Sequence, residues 1–165
     1  MQGHVSILSV SPEAAAMIAS GGRISTMDGP AGEIYAKSLA AGQEKNEKLI
    51  GKVLSSGHTS VLEHCYLNLS FENVSVLAEQ FLIEFRLASF TVKSRRYVDF
   101  SKAGYVSPVF TDNVQMAIFE RTAESLFGTY DVLEAAGVPK EDARFVLPYC
   151  FCSNFFCSMN ARELV

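Results

Sequence analysis

Hydrophobic residues recur at every second position in the segment YLNLSFEN, which begins at Tyr66. Leu67, Leu69 and Phe71 would share one face and the polar residues between them the other, which is the period of a half-buried strand. Long segments on both sides repeat their apolar residues at three and four positions instead, as amphipathic helices do. The pattern therefore predicts a chain that combines a half-buried strand with amphipathic helices.

The segments before Tyr66 predict one strand followed by helices. VSILSV is typical of a short strand, and the helix SPEAAAMIAS after it should end at the Gly21-Gly22 pair. EIYAKSLAAG and QEKNEKLIGKVLSSG predict two further helices, the second closing on Gly57.

After the alternating segment, a helix is predicted from Ser75 to about Phe90, because Leu77, Phe81 and Phe85 repeat at four-residue spacing. RRYVDF and GYVSPVF are expected to be short extended segments.

The last third of the chain is expected to be helical. A helix from Asp112 through Ala136 should end at Gly137, and Pro139 should start another over KEDARFVL. Because Pro148 lacks an amide hydrogen, YCFCSNFFCSMNAREL is expected to form a separate or kinked helix. No residue that would close this helix precedes Val165, which suggests that the native protein continues further.

The composition limits the class of protein. A chain of 165 residues, 48% hydrophobic and 19% charged, predicts a single domain over residues 1–165 with its own core. The net charge of −4 provides no basic surface for nucleic acid, so any phosphate must be bound locally. We find no membrane span and no secretory signal, and therefore expect a cytoplasmic protein with no nucleic-acid or membrane partner.

Three of the four cysteines cluster near the end of the chain, at Cys150, Cys152 and Cys157, while Cys65 lies apart. The gaps between the clustered cysteines do not match the two-residue spacing of zinc knuckles. Free Cys is among the most buried residue types. We therefore expect buried thiols on a helix and no bound metal.

The octapeptide GHTSVLEH, from Gly57 to His64, holds two imidazoles, two hydroxyls and a carboxylate. Such a segment could form a metal site, a hydrogen-bonding platform for a ligand, or a loop whose polar groups satisfy one another. The separation of His58 and His64 does not match the i, i+4 spacing of helical zinc ligands. The residues alone leave these interpretations open.

The segment from Arg86 to Tyr97, RLASFTVKSRRY, concentrates four basic residues in an acidic chain. Guanidinium groups, Ser hydroxyls and loop amides suit a phosphate, because bidentate donors and positive charge meet its oxygens together. The segment predicts a phosphate site, and the alternative is a solvated basic surface loop.

These segments together resemble the flavin-dependent thymidylate synthases. The signature of that family runs Gly-His-x-Ser/Thr-x-x-Glu-His, then a strand, Arg-His-Arg and, after seven residues, Ser-x-Arg-Tyr. The residues that match it in order are Gly57, His58, Ser60, Glu63, His64, Arg86, Ser94, Arg96 and Tyr97. ARFVLP from Ala143 and NAREL from Asn160 resemble two later family segments, Ala-Arg-x-x-Leu-Pro and Asn-x-Arg-x-Leu, so the resemblance covers most of the chain.

The resemblance implies an α+β fold, with a small, mainly antiparallel sheet packed with several helices. It implies an FAD-dependent enzyme that methylates dUMP to dTMP with methylenetetrahydrofolate and NADPH, as a homotetramer or in a hetero-oligomer with a paralog. The residues that it assigns to dUMP are Ser94, Arg96 and Arg144, with Ser94 also catalytic. Arg95, a basic residue of the same segment, is predicted to bind dUMP with them. The residues that it assigns to FAD are Ser25, Ser60, Glu63, Arg86, Asn160 and Arg162.

The chain departs from the family pattern at two pairs of residues. Glu84 and Phe85 stand where the family has Arg-His, and Thr91 and Val92 where it has Asn-Glu. In the family these positions line the flavin and the nucleotide, both of which are anionic, so Glu84 would oppose them. The departures favour an alternative function, that of a non-catalytic paralog which binds nucleotide or completes a hetero-oligomer.

Overall fold

A four-stranded antiparallel sheet packed with helices forms the fold. The computed structural model describes residues 2–165. The strands are β1 His4–Val10, β2 Tyr66–Ser75, β3 Ala88–Val92 and β4 Cys152–Asn160. Their order is β1-β2-β4-β3, so β2 and β4 are central. The α+β fold class is confirmed, and so are the strands predicted at VSILSV and YLNLSFEN.

Helices connect the strands. The α-helices are α1 Ala14–Ile24, α2 Ala31–Ala41, α3 Gln43–Ser55, α4 Val76–Leu82, α5 Asn113–Ala135, α6 Lys140–Ala143 and α7 Ala161–Leu164. Two 3-10 helices cover Thr59–His64 and Arg144–Val146. None of the helices between residues 2 and 165 is long and apolar enough to cross a membrane.

The chain divides into two compact units. The first unit contains Ser70–Arg86 and Phe90–Cys157 together with the start of β1, and the second contains Ile7–Leu69, Leu87–Ser89 and Ser158–Val165. The assignment of residues 1–165 to a single domain stays a prediction.

The core of the first unit includes aromatic residues of α5. Its buried members are Val76, Phe100, Phe127, Tyr130, Ala143 and Phe151. Asp112 caps α5 by accepting a hydrogen bond from the backbone N of Val114 at 2.8 Å, and Gly137 follows the helix with a φ of 85°. Both ends agree with the prediction from the sequence, because the cap and the left-handed glycine are strong local signals.

In the second unit, a buried polar network joins α1, α2 and α3. Arg23 Nη1 donates to Ser38 Oγ at 2.8 Å and to Asn46 Oδ1 at 2.7 Å, and Asn46 Nδ2 donates to the Ser38 carbonyl at 2.8 Å. Ser38 and Asn46 are at most 2% exposed. Each buried polar group therefore has a partner, as a stable interior requires.

Gly57 ends α3 as predicted. Its φ is 85°, its amide donates to the carbonyl of Leu54, and the amide of His58 donates to the carbonyl of Val53. These two bonds form a Schellman motif, in which a left-handed glycine closes the helix. The motif sets the direction in which the GHTSVLEH segment leaves α3.

The Gly-Gly pair does not end α1, contrary to the prediction, because the helix continues to Ile24. A Cβ atom at Gly21 would lie 3.2 Å from His64 Cδ2, and one at Gly22 would lie 3.0 Å from Val53 Cγ2. The two glycines therefore allow close packing against neighbouring elements of the second unit rather than chain reversal.

Alanine substitutions separate these two roles of glycine. Gly128→Ala in α5 is expected to stabilise the protein by about 0.5–1 kcal/mol, because its Cβ meets no atom within 4 Å. Gly22→Ala is expected to stabilise the protein less, because its Cβ would come into tight contact with the stiff side chain of Val53. Urea unfolding measures both. Equal gains would show that Gly22 is not a packing contact.

The segment after Pro148 is a strand and not the predicted helix. β4 lies between β2 and β3, and Cys152, Ser153, Phe155 and Cys157 on it are all at most 4% exposed. The strand is not buried along its whole length, because Phe156 is 58% exposed. The consecutive apolar residues Phe155, Phe156 and Cys157 nevertheless interrupt the alternation of apolar and polar residues. Periodicity alone cannot distinguish such a strand from a buried helix.

The helix α4 is much shorter than the predicted segment that ran to Phe90. The apolar stripe that favoured a long helix, Leu77, Phe81 and Phe85, is 47–66% exposed, so within this chain it covers no core. The residues that follow the helix pair in the sheet as β3 instead. Tertiary pairing thus overrides helical spacing here.

The connections on either side of α5 also differ from the prediction. In the described chain, RRYVDF and GYVSPVF form no strand, apart from an isolated antiparallel bridge between Tyr105 and Phe151. KEDARFVL is split into α6 and the 3-10 helix at Arg144–Val146. Leu147 is extended, as the residue before Pro148 usually is, and this ends the helical segment.

The edge strand β1 exposes apolar side chains on both of its faces. Val5, Ile7, Leu8 and Val10 are 45–59% exposed. In the order of the described strands, β2 is the one neighbour of β1. An exposed apolar edge of this kind is unusual in soluble proteins.

Candidate functional site

An open pocket in the first unit contains two arginines. Its volume is about 320 Å³, and residues of α4, the turn after β3 and the segment between α6 and β4 line it. We call it the arginine pocket. Its lining residues are Val76, Gln80, Arg95, Arg144, Phe145, Leu147, Tyr149 and Phe151.

Arg95 enters this pocket as half of an ion pair with Glu79. Arg95 Nη2 lies 2.5 Å from Glu79 Oε1 and 2.7 Å from Oε2. The Arg95 guanidinium carbon lies 5.3 Å from the ring centroid of Phe151, within the range of a cation–π contact. The Arg95 side chain is 19% exposed, so most of it is held inside the unit.

Glu79 is the most buried charged residue of this region, at 1% exposure. Besides Arg95, it accepts hydrogen bonds from the hydroxyl of Ser153 and from Gln80 Nε2, the latter at 3.1 Å. A carboxylate this buried needs both a counter-ion and hydrogen bonds, and it has both.

Arg144 lines the arginine pocket from the 3-10 helix that follows α6. Its Nε donates to the carbonyl of Glu141 at 2.9 Å, and its guanidinium carbon lies 5.7 Å from the ring centroid of Phe145. No carboxylate within 4.0 Å pairs with Arg144 in the described chain. Its charge is therefore available to an anion in the pocket.

The other two residues assigned to the nucleotide, Ser94 and Arg96, are not among the lining residues of this pocket. Ser94 Oγ accepts a hydrogen bond from the Arg96 backbone N at 3.3 Å. The Arg96 side chain is 63% exposed and its Nε lies 3.6 Å from Glu141 Oε2, a weak surface ion pair. Of the four assigned residues, the structure thus brings Arg95 and Arg144 together.

Three residues assigned to the cofactor meet in a pocket of the second unit, with a volume of about 650 Å³. Arg162 Nη1 donates to Glu63 Oε1, and Asn160 Oδ1 accepts from the Glu163 backbone N at 3.1 Å, which caps α7. We call it the Glu63 pocket. Its lining residues are Glu63, His64, Tyr66, Leu87, Asn160, Arg162 and Glu163.

A further pocket of the second unit, of about 500 Å³, contains Ser25 and Ser60, which the sequence also assigned to the cofactor. We call it the Ser60 pocket. Lys52 is its one basic lining residue apart from His58. The remaining lining residues are Gly21, Gly22, Thr26, Leu49, Val53, Ser56 and Val61.

The last residue assigned to FAD, Arg86, is exposed and lines none of these three pockets. Glu84 and Phe85, which precede it, are exposed too, and the Phe85 ring lies edge-on to Phe81 at 5.8 Å. An exposed aromatic pair therefore occupies the segment in which the family has Arg-His.

Burial disfavours the thiolate form of the four cysteines. Burial raises the pKa of Cys150 and Cys152, which flank Phe151 of the arginine pocket, and also the pKa of Cys65 and Cys157. All four thiols therefore stay protonated near neutral pH. In the part of the chain that the structure describes, no three His, Cys, Asp or Glu residues are grouped as metal ligands.

Sequence reasoning missed Glu79, Gln80 and Ser153. The family signature does not include them, and sixteen positions separate Glu79 from Arg95 in the chain. The available signal was a single acidic residue inside a mostly apolar segment, VLAEQFLI. Such a residue is rarely buried without a partner, so it should have prompted a search for an arginine.

An arginine-lined pocket on an α+β scaffold defines a protein equipped to bind an anionic ligand. A family model described as "Thymidylate synthase complementing protein" matches residues 6–165. The chain belongs to this family. The resemblance to flavin-dependent thymidylate synthases, drawn from its motifs, is confirmed.

Several curated relatives carry the name flavin-dependent thymidylate synthase, and two of them illustrate the match. The one from Geobacter sulfurreducens is 38% identical over 120 residues, which cover 70% of this chain and 52% of the relative. The one from Nitratidesulfovibrio vulgaris is 35% identical over 133 residues, which cover 74% and 54%. The chain spans about half the length of the curated relatives it matches.

A solved structure, that of the UMP/dUMP methylase PolB from Streptomyces cacaoi bound with 5-Br dUMP, has a similar fold. Its TM-score is 0.78 at 24% sequence identity, with 99% of this chain and 75% of that chain covered. The likeness supports the fold assignment.

Proposed function

We propose that this chain is, or forms part of, an FAD-dependent thymidylate synthase. Such an enzyme converts dUMP to dTMP by reductive methylation, with methylenetetrahydrofolate as the carbon source and NADPH as the reductant. The observation that carries the proposal is the meeting of Arg95 and Arg144 in one pocket, in a chain whose family and named relatives act on this kind of substrate.

The arginine pocket is the proposed dUMP site. Arg144 would neutralise the phosphate directly, because no carboxylate of the described chain takes up its charge, and Arg95 would add guanidinium donors. Phe145 and Tyr149 offer exposed aromatic surface to the pyrimidine. Ser94 and Arg96, on the turn next to Arg95, would complete the set of donors, with Ser94 as the proposed catalytic hydroxyl.

FAD fits the donor chemistry of the second unit. Ser25 and Ser60 bring hydroxyls into one pocket, and Glu63, Asn160 and Arg162 bring a carboxylate, an amide and a guanidinium into another. Both volumes lie in the usual range of about 300–1,000 Å³ for ligand pockets. Bound FAD would supply the hydride chemistry. These residues would hold and orient it. Arg86 is proposed separately as an FAD contact, on the resemblance alone.

The proposed assembly is a homotetramer or a hetero-oligomer with a paralog, as the family resemblance implies. The proposed compartment is the cytoplasm, where a synthase of nucleotide precursors would act.

The colour of the purified protein tests this function. We expect flavin absorbance in the protein as isolated or after FAD is added, and binding of dUMP in preference to dTMP and to deoxyuridine. Turnover is measured as dTMP formed from dUMP, methylenetetrahydrofolate and NADPH. A protein that stays colourless with excess FAD and forms no dTMP would exclude the catalytic function.

A second candidate function is that of a non-catalytic, nucleotide-binding paralog that completes a hetero-oligomer. The exposed Glu84 and Phe85 in place of Arg-His favour it, because an anion there opposes an anionic cofactor. A colourless protein that still binds dUMP, and that forms a stable mixed complex when co-expressed with a full-length family member, would support it.

A further inference from the structure

A buried carboxylate lies behind the arginine pocket. Glu79 is 1% exposed and is not one of the lining residues. Its described counter-ion is Arg95, through the 2.5 Å and 2.7 Å contacts of a single guanidinium nitrogen. Glu79 can therefore affect a bound ligand only through a neighbour.

Arg95 is the neighbour that reaches the pocket. It occupies the x of Ser-x-Arg-Tyr, a position at which the family signature requires no particular residue. A free arginine samples many rotamers, but the ion pair and the Phe151 ring hold this one. A guanidinium that is already ordered loses less entropy when it binds an anion.

Two further residues hold Glu79 itself. The hydroxyl of Ser153 on β4 and the amide of Gln80 on α4 each donate to one of its oxygens. One carboxylate thus joins α4, β4 and the turn that carries Arg95. In the described chain Arg95 Nε is buried without a hydrogen-bond partner. Nη2 is taken up by Glu79, and Nη1 makes no hydrogen bond to a described residue, so Nη1 is the donor left for a ligand.

We propose that Glu79 is the positioning residue of the arginine pocket. It anchors Arg95 against Phe151 and so presents the guanidinium to the phosphate of a nucleoside monophosphate, without touching the ligand. The inference rests on the proposed function for the identity of the nucleotide, but not for the recognition of its phosphate.

Calorimetric titration of the full chain with dUMP, deoxyuridine and inorganic phosphate tests this role. Glu79→Gln keeps the volume and removes the charge. It and Arg95→Gln are each expected to weaken dUMP binding at least about tenfold and to change deoxyuridine binding by less than about twofold. Because Glu79 acts through Arg95, adding Glu79→Gln to Arg95→Gln should weaken binding by no more than about twofold further.

The control is Glu134→Gln, which breaks the ion pair with Lys140 at 2.6 Å in the same unit and should leave dUMP affinity unchanged. If Glu79→Gln does not fold, Ser153→Ala removes only one anchor of the carboxylate. That variant is expected to weaken dUMP binding about threefold or more.

Three patterns of dUMP binding by the variants would overturn the proposal. Tighter dUMP binding by Glu79→Gln would show that the carboxylate competes with the ligand for Arg95. If Glu79→Gln lowers dUMP affinity equally in the wild-type and the Arg95→Gln backgrounds, Glu79 acts through a general electrostatic effect and not through Arg95. If Glu79→Gln leaves dUMP affinity unchanged, the role of Glu79 is purely structural. If the chain binds inorganic phosphate without preferring dUMP, the proposed function fails. The positioning role of Glu79 is then tested by the affinity of the same variants for inorganic phosphate. Binding of neither ligand overturns both.

Discussion

Replacing Glu79 with Ala is expected to destabilise the protein by about 3–5 kcal/mol, the usual result of removing one partner from a buried ion pair. Arg95 would keep its charge in a mostly buried position, and the Ser153 hydroxyl, which is fully buried, would lose its acceptor. Urea unfolding of the ligand-free protein, followed by circular dichroism, measures the change.

A surface pair in the same unit is the matched control. Glu141 and Arg96 are 52% and 63% exposed, and their nearest charged atoms are 3.6 Å apart. Glu141→Ala is therefore expected to cost about 0–1 kcal/mol. If the two substitutions lower the free energy of unfolding equally, Glu79 is exposed to solvent and its ion pair with Arg95 is not buried.

Restoring the family residues with the double substitution Glu84→Arg and Phe85→His is expected to tighten FAD binding more than about tenfold. A unit charge about 4 Å from a phosphate contributes about 1 kcal/mol in water and about 4 kcal/mol at an effective dielectric of 20. Replacing the negative Glu84 by a positive arginine removes a repulsion and adds an attraction, so the lower value counts twice. The resulting gain of about 2 kcal/mol corresponds to more than about a tenfold increase in affinity. Quenching of flavin fluorescence measures the dissociation constant.

The control for this prediction makes the same change in net charge at a different place. Glu124→Arg alters an exposed residue of α5 and is expected to leave FAD affinity nearly unchanged. If the two proteins bind FAD equally tightly, net charge alone explains the effect. If the double variant binds no tighter than the wild type, the segment around Arg86 does not contact the cofactor.

The elements that could be predicted from the sequence are those with strong local signals. Asp112 and Gly137 bound α5 through a cap and a left-handed turn, and Gly57 closes α3 in the same way. The predicted helix over β4 failed because the consecutive apolar residues Phe155, Phe156 and Cys157 conceal the alternation of a strand. The prediction that the Gly21-Gly22 pair ends α1 was wrong because these glycines allow close packing of helices. That packing depends on residues that are distant in the chain.

The candidate site was predictable to the extent that motifs mark it. The signature led to Arg144, Glu63 and Arg162, and the structure places the last two in contact. It did not lead to Glu79, because the partner of a buried charge is set by tertiary folding. Arg95 was predicted from local charge alone, and its orientation toward a buried carboxylate could not be.

The exposed edge of β1 bears on how this protein behaves at high concentration. A strand with free backbone groups along one side, and with Val5, Ile7, Leu8 and Val10 half-exposed, is a template onto which another extended chain can add. Soluble proteins usually protect such edges with lysine, proline or a bulge, and VSILSV contains neither lysine nor proline. Without a covering partner, the purified chain would therefore be prone to aggregate from its first strand, and a lysine in place of Ile7 is the substitution best placed to keep it in solution.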